Sequence, residues 1–88
     1  MKIDYTDADY NVLFDKTRQL GQVYAVMKNG RAITIWGLRA TIYEQFNDHH
    51  SETAISARIR DLRKAKYGSH TVETKRRSKG VYEYRLVK

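Results

Sequence analysis

The residues most able to do chemistry are the arginines and lysines that recur through the last third of the chain. Residues 58–88 hold eleven Lys and Arg against three Asp and Glu, whereas residues 1–15 carry a net charge of −3. A strongly basic segment favours a polyanionic partner, and nucleic acid is the commonest polyanion in a cytosol. Charge alone would also suit a small basic domain that has no such partner.

The stretch "SETAISARIRDLRK" (51–64) has the spacing of one helix with two different faces. Ile55, Ile59 and Leu62 follow the i, i+4, i+7 pattern of a buried stripe. The opposite side begins with small and polar residues and ends with cations, namely Thr53, Ala57, Arg60 and Lys64. An amphipathic helix with a solvated basic face would have the same pattern.

After Gly68 the apolar period changes to two, which indicates a β-hairpin made of "HTVETKRR" and "VYEYRLVK". The stretch "KRRSKG" (75–80) is predicted to form a cationic loop at its tip, with four cations in six residues and no acid. A hairpin tip needs polar residues to stay soluble, but this charge density exceeds that need.

Apolar spacing and cap residues predict three helices ahead of the hairpin. Their predicted bounds are 17–30 with a stop at Asn29-Gly30, 34–48 with Thr34 as N-cap, and 51–66 with Ser51 as N-cap and Gly68 as stop. A short edge strand is predicted at 31–34. The predicted fold class is therefore α+β, with three helices, a short strand and a C-terminal two-stranded hairpin.

Residues 1–16 are predicted to form an acidic N-terminal arm or a short helix, and residues 17–88 the folded domain. Thr6 could cap a helix that carries Asp7 and Asp9 in its first turn. Gly21 weakens the case for one long helix, which favours an arm or a short turn before the domain.

Several functional classes are disfavoured by what the sequence lacks. The absence of cysteine excludes disulfides, thiolate metal sites and a cysteine nucleophile. No apolar run approaches the ~20 residues that span a bilayer, and no signal-peptide pattern opens the chain, so a cytoplasmic location is expected. No catalytic motif is present, so neither an enzyme nor a cofactor is expected. His49, His50 and His70 are expected to be solvated rather than metal-bound.

The order of elements and three stretches of sequence resemble a winged helix-turn-helix domain over roughly residues 17–88. The stretches are "MKNGRAIT", "SETAISARIRDLRKAKYGSHTVETKRR" and "GVYEYRL". They are most similar to small winged-helix proteins encoded by phages and prophages, which are mostly described as DNA-binding regulators. The resemblance implies that the third helix enters the major groove and that the hairpin, the wing, lies along the backbone or minor groove.

The resemblance also assigns candidate DNA-binding residues. On the third helix they are Ser51, Thr53, Ser56, Ala57, Arg60, Arg63 and Lys64, and on the wing they are Lys75, Arg76, Arg77 and Lys79. Small side chains in the first half of the helix would allow a close approach to base edges. Arg60 can reach a guanine, whose two acceptors match a guanidinium group, while Arg63 and Lys64 are expected at phosphates.

The predicted function is therefore binding of double-stranded DNA by a small phage or prophage transcriptional regulator, with a homodimer left open. Two alternatives remain. One is a winged-helix module that binds protein partners, and the other is RNA binding, which the lack of a Gly/aromatic sheet motif disfavours. Trp36, Tyr43 and Tyr67 are open between packing, sugar-phosphate contact and a dimer face. No small-molecule pocket is expected in so short a chain.

Overall fold

The computed structural model of the chain describes residues 11–87, which form an α+β fold of three α-helices and a three-stranded antiparallel sheet. The elements are α1 (Gln19–Met27), β1 (Ile33–Thr34), α2 (Ile35–Phe46), α3 (Glu52–Asp61), β2 (Thr71–Ser78) and β3 (Val81–Val87), with 3-10 turns at Val12–Phe14 and Ala65–Tyr67. The predicted class and order of elements are confirmed. None of the helices in this range has the length and apolar character needed to cross a bilayer.

Each helix buries an apolar stripe, and the sheet closes the core. Ile55 and Ile59 of α3, with Leu62 just after it, are almost fully buried. Val72 and Leu86, which pair across the hairpin, are the buried residues of the sheet. The core members from α1 and α2 are Leu20, Val23, Val26, Met27, Leu38 and Ile42. Burying one such side chain contributes about 1.5–3 kcal/mol, so the core holds α3 with its opposite side outward.

The segment just before α1 joins the same core. Leu13 is buried and packs with the α1 residues. The hydroxyl and backbone N–H of Thr17 donate to the Asp15 carboxylate, and these hydrogen bonds hold the pKa of that carboxyl below its usual range. The predicted arm of residues 1–16 therefore includes a part that packs onto α1. Its first ten residues, which hold most of its acids, lie outside the described residues.

Gly21 is required because α1 and the preceding turn approach closely. A Cβ at this position would lie 2.0 Å from the carbonyl oxygen of Asp15 and 3.0 Å from that of Val12. We expect Gly21→Ala to lower the free energy of unfolding by about 3 kcal/mol, because backbone must move to make room. Urea unfolding measures the loss.

Gly80→Ala is the matched control for this prediction. A Cβ there would have no atom within 4 Å, so only the left-handed φ of 73° is unfavourable. That strain costs about 1 kcal/mol. Equal losses from the two substitutions would contradict the importance of the close approach at Gly21.

Cap residues set the start of α2, the end of α2 and the start of α3. The Thr34 hydroxyl accepts from the Gly37 N–H and the Ser51 hydroxyl accepts from the Ala54 N–H, both at 3.0 Å, so both predicted N-caps are confirmed. Asn47 ends α2 in the left-handed conformation with φ 56°. Asn is one of the few residues that adopt this conformation readily.

One buried polar side chain holds that turn against α1. Gln22, which is 1% exposed, donates to the Asp48 carboxylate and to the Lys16 carbonyl oxygen. Its side-chain oxygen accepts from Nε2 of His50 at 2.6 Å. An unsatisfied buried polar group costs about 1–3 kcal/mol, so these bonds favour a single position of the turn. The start of α3 is thereby fixed relative to α1.

The third helix ends earlier than its predicted range of 51–66, so the predicted C-terminal end was wrong. The helix stops at Asp61, and the Leu62 carbonyl accepts a hydrogen bond from the His70 N–H at 2.9 Å. This bond turns the chain back toward the hairpin instead of continuing the helix. Gly68, the predicted stop, ends the following 3-10 turn in the left-handed region with φ 99°.

The hairpin also differs from its prediction. Lys75 to Ser78 belong to β2, and all of them except Arg77 pair with β3, so the prediction of a cationic loop over 75–80 is wrong. Only Lys79 and Gly80 form the turn. A register shift between Arg76 and Ser78 inserts Arg77 as a bulge near the tip. Since the sheet order is β1-β3-β2, β2 is an edge strand, and edge strands commonly carry cations that oppose pairing with other chains.

Candidate nucleic-acid interface

The outward side of α3 carries most of the residues that the sequence assigned to DNA contact. Thr53 and Arg60 are exposed, and Ser56 and Ala57 are partly exposed; Lys64, which lies three residues beyond the end of α3, is exposed as well. Small side chains occupy this side in the first two turns, so a ligand can approach the helix closely there. Ser51 is exposed as well, with its hydroxyl engaged in the N-cap bond.

The cations on this side differ in whether a nearby carboxylate already pairs with them. Lys64 lies 2.9 Å from the Asp61 carboxylate, which also contacts Arg58 at 3.0 Å. Arg60 instead donates to the Ser56 hydroxyl at 3.3 Å, and no carboxylate within residues 11–87 pairs with it. The charge of Arg60 is therefore the most available of the three to an incoming anion or to a guanine edge.

Arg63 forms bonds within the protein. Its Nη2 donates to the Val72 carbonyl at 2.8 Å and reaches the Thr74 hydroxyl at 3.5 Å. These bonds tie the segment after α3 to β2. A guanidinium has five N–H donors, so the predicted phosphate contact by Arg63 would use those that remain.

The hairpin approaches the two ends of α3. Near the C-terminal end of α3, Arg63 reaches the base of β2, and at its N-terminal end Glu52 lines a cleft together with Gly80 and Tyr82 at the far end of the hairpin.

The pairing register divides the hairpin between two faces, because directly paired residues share a face. The inner face, which includes the buried pair Val72 and Leu86, points toward the helices. Its members are Val72, Thr74 and Arg76 on β2 with Tyr82, Tyr84 and Leu86 on β3. The outer face holds Glu73, Lys75 and Arg77 with Glu83 and Arg85. The four predicted wing cations therefore do not all lie on one face of the hairpin.

The outer face is close to electrically balanced. Glu73 pairs with Arg85, Lys75 lies directly opposite Glu83, and Nη1 of Arg77 lies 3.5 Å from the Glu83 carboxylate. The absence of acids between residues 75 and 80 thus does not leave all of those cations unopposed. Two acids on neighbouring strand positions reduce the attraction of this face for an anion.

The inner face and the turn keep their charge. Arg76 donates to the Ser78 carbonyl at 3.4 Å, and neither Arg76 nor Lys79 has a carboxylate partner in the part of the chain that the structure describes. Both side chains are exposed. Arg60, Arg76 and Lys79 together are termed the basic surface; they are exposed cations of α3 and the hairpin tip that have no carboxylate partner within residues 11–87.

Aromatic rings line a cleft near the hairpin tip, and the sequence did not predict this cleft. Trp36 is 52% exposed and Tyr82 is 44% exposed, and with Tyr84 they line a cleft of about 120 Å³ between the first turn of α2 and the hairpin. Glu52 borders the same cleft. The Thr34 cap places Trp36 in the first turn of α2, but the bulge at Arg77, which sets Tyr82 opposite Arg76, is a property of the paired strands.

The expectation of solvated histidines is wrong for two of the three. His50 is partly buried in the bonds to Gln22, and His70 is partly buried against the Tyr24 ring at a centroid distance of 5.3 Å. Burial lowers the pKa of the His70 imidazole, and a hydrogen bond with the Tyr67 backbone opposes this effect. Among residues 11–87, no group of three or more His, Cys, Asp or Glu side chains could hold a metal ion.

Comparison with known proteins gives no significant match to a family model, to a curated protein or to a solved structure. The functional argument therefore depends on the geometry of the basic surface and of the cleft beside it.

We expect the two faces of the hairpin to contribute unequally to polyanion binding. Arg76→Gln removes an unopposed charge and should lower the slope of log affinity against log salt for duplex DNA by about 0.9. Arg77→Gln removes the same charge from the neighbouring position, where Glu83 already opposes it, and should change the slope clearly less. Fluorescence polarisation with a labelled duplex at several salt concentrations measures both slopes. Equal slopes for the two variants would contradict the division into faces.

Proposed function

We propose that the chain is a winged helix-turn-helix protein that binds double-stranded DNA, with α3 as the recognition helix and the β2–β3 hairpin as the wing. The observation that carries the proposal is the basic surface. Arg60 on α3 and Arg76 and Lys79 on the hairpin are exposed, and no carboxylate within residues 11–87 pairs with any of them. Uncompensated cations on a helix with small outward residues and on a hairpin tip suit a duplex, whose phosphates border the groove.

Each part of the surface has a distinct role in this proposal. Thr53 and Ala57 let the first half of α3 approach base edges, and Arg60 bonds to a guanine through its two acceptors. Lys64 and Arg63 contact phosphates beside the major groove. Arg76 and Lys79 hold the backbone at the wing, and each phosphate they neutralise adds about 0.9 to the salt dependence.

A transcriptional regulator is the proposed biological role, in keeping with the resemblance to small phage and prophage winged-helix proteins. Such a protein would act on DNA in the cytoplasm. If two copies associate, they would bind paired half-sites about one helical turn apart. Selection of bound fragments from random duplex DNA tests sequence preference and half-site symmetry together.

A protein-interaction module is the second candidate, because exposed aromatic side chains favour it. Trp36, Tyr43 and Tyr82 are each about half exposed on the α2 and hairpin surfaces, and aromatic residues are enriched in protein interfaces. A salt titration with duplex DNA, single strands and structured RNA separates the candidates. The DNA proposal requires a duplex preference that persists at physiological salt, whereas equal binding that disappears there would indicate non-specific charge attraction.

Arg60→Ala is expected to reduce sequence preference rather than general affinity. Loss of a bidentate contact to guanine removes about 1–3 kcal/mol of discrimination, so affinity for the selected sequence should fall by at least fivefold relative to random duplex. The fold should tolerate the change, because Arg60 is exposed and its bond goes to the neighbouring Ser56.

Lys64→Ala is the control, since a phosphate contact does not distinguish sequences. It should lower the affinities for selected and random duplexes by the same factor. If Arg60→Ala also lowered both by one factor, Arg60 would not read bases.

A further inference from the structure

The cleft between Trp36, Tyr82, Tyr84 and Glu52 is not occupied by any of the contacts proposed above. We propose that it binds a single unpaired nucleobase, with a preference for one that carries an exocyclic amino group, such as cytosine. The inference rests on the proposed function, because the basic surface would hold the sugar-phosphate chain that delivers the base.

The walls of the cleft suit a flat ring. Trp36 and Tyr82 expose about half of their surface although each belongs to an ordered element of the fold. Exposed aromatic rings stack on bases without regard to sequence, and this stacking is the main contact in single-strand binding sites. A base that has left its own stack regains on these rings the stacking it lost.

The Glu52 carboxylate determines which chemical group of a base can bind at the edge of the cleft. Its carboxylate repels a phosphate, but it accepts a hydrogen bond from an amino group such as N4 of cytosine. The only ion pair of Glu52 within residues 11–87 is with Arg39 at 3.9 Å between two exposed side chains, so it competes weakly. Thymine has no amino group and presents a carbonyl oxygen in the same place, which Glu52 would disfavour.

The dimensions of the cleft limit its occupant to one ring. Its volume is about 120 Å³, well below the ~300 Å³ at which pockets begin to hold drug-sized ligands. Thr34 also lines the cleft, with its hydroxyl already engaged by the Gly37 N–H. Stacking and the Glu52 carboxylate are therefore the main means of recognition.

The charges around the cleft favour a nucleic acid over the other guest that such walls could accept. Aromatic rings beside a carboxylate also suit a cationic side chain, through cation–π attraction. However, Gly80 at the cleft directly follows exposed Lys79, Arg76 lies opposite Tyr82 on the same hairpin face, and the whole chain has a net charge of +7. These charges repel a basic partner and attract a phosphodiester chain.

The tryptophan itself provides a direct test, because Trp36 is the only tryptophan of the chain. The full-length protein is titrated with single-stranded octamers of dC and of dT and with a blunt duplex of random sequence. Stacking should quench Trp36 fluorescence with the single strands, and dC should bind at least about tenfold more tightly than dT, as expected for one added hydrogen bond to a charged group. Duplex binding is followed independently by polarisation of a labelled duplex.

Variants separate stacking from edge recognition. Trp36→Ala should weaken dC binding roughly tenfold, measured by polarisation of a labelled octamer. Glu52→Gln should remove the dC preference, because an amide can donate to thymine as well as accept from cytosine. Tyr43→Ala is the matched control. Tyr43 lies two turns along α2, is exposed to a similar extent, stacks on His49, and should leave dC binding unchanged.

The outcomes distinguish this inference from the proposed function. Duplex binding without fluorescence quenching by single strands, or with equal affinity for dC and dT in the parent protein, would overturn the base site and leave the DNA proposal intact. Quenching by single strands without duplex binding would overturn the duplex proposal instead. Quenching by an arginine-rich peptide, with none by octamers, would assign the cleft to a protein partner and overturn the inference.

Discussion

The attachment of the hairpin to the end of α3 is the constraint on which the rest of the surface depends. Leu62 is fully buried, and its carbonyl accepts from the His70 N–H, so the helix must end there and the chain must turn back. Arg63 then bonds to the Val72 carbonyl and fixes the base of β2 beside α3. Without this attachment, the helix and the hairpin could each form and still present their cations in different directions. With it, the base of β2 is held beside the C-terminal end of α3.

Pairing with acids then determines which cations keep a charge that no carboxylate opposes. The chain has seventeen Lys and Arg side chains, but acids oppose several of those near the site. Glu83 opposes Lys75 and Arg77, and Asp61 opposes Lys64 and Arg58. Exposed ion pairs contribute little to stability. In the proposed function they matter more, because they leave only a few cations without an opposing acid. Under that proposal, these cations attract a phosphate chain and the exposed rings of Trp36 and Tyr82 stack on bases.

Most of the fold could be predicted from local sequence, and the site only in part. Thr34 and Ser51 cap their helices, and the stripes of α1 to α3 are buried, because capping and amphipathic spacing depend on residues a few positions apart. The end of α3 was misplaced because the bond between Leu62 and His70 joins residues that no helical pattern relates. The cationic loop was misplaced because the register, which sets Glu83 opposite Lys75, is a property of the paired strands. Trp36 and Tyr82 meet only in the folded chain, so their cleft had no local signal.

The most direct test of the account is to map backbone amide NMR shifts of the full chain on addition of a selected duplex. The account predicts that shifts are concentrated in residues 51–64 and 74–82, which hold α3 with the segment after it and the tip of the hairpin. Residues 39–46 on the second half of α2 and the C-terminal part of α1 should change little. Shifts centred on those helices with α3 unperturbed, or no shifts at about 0.15 M salt where specific complexes persist, would contradict it.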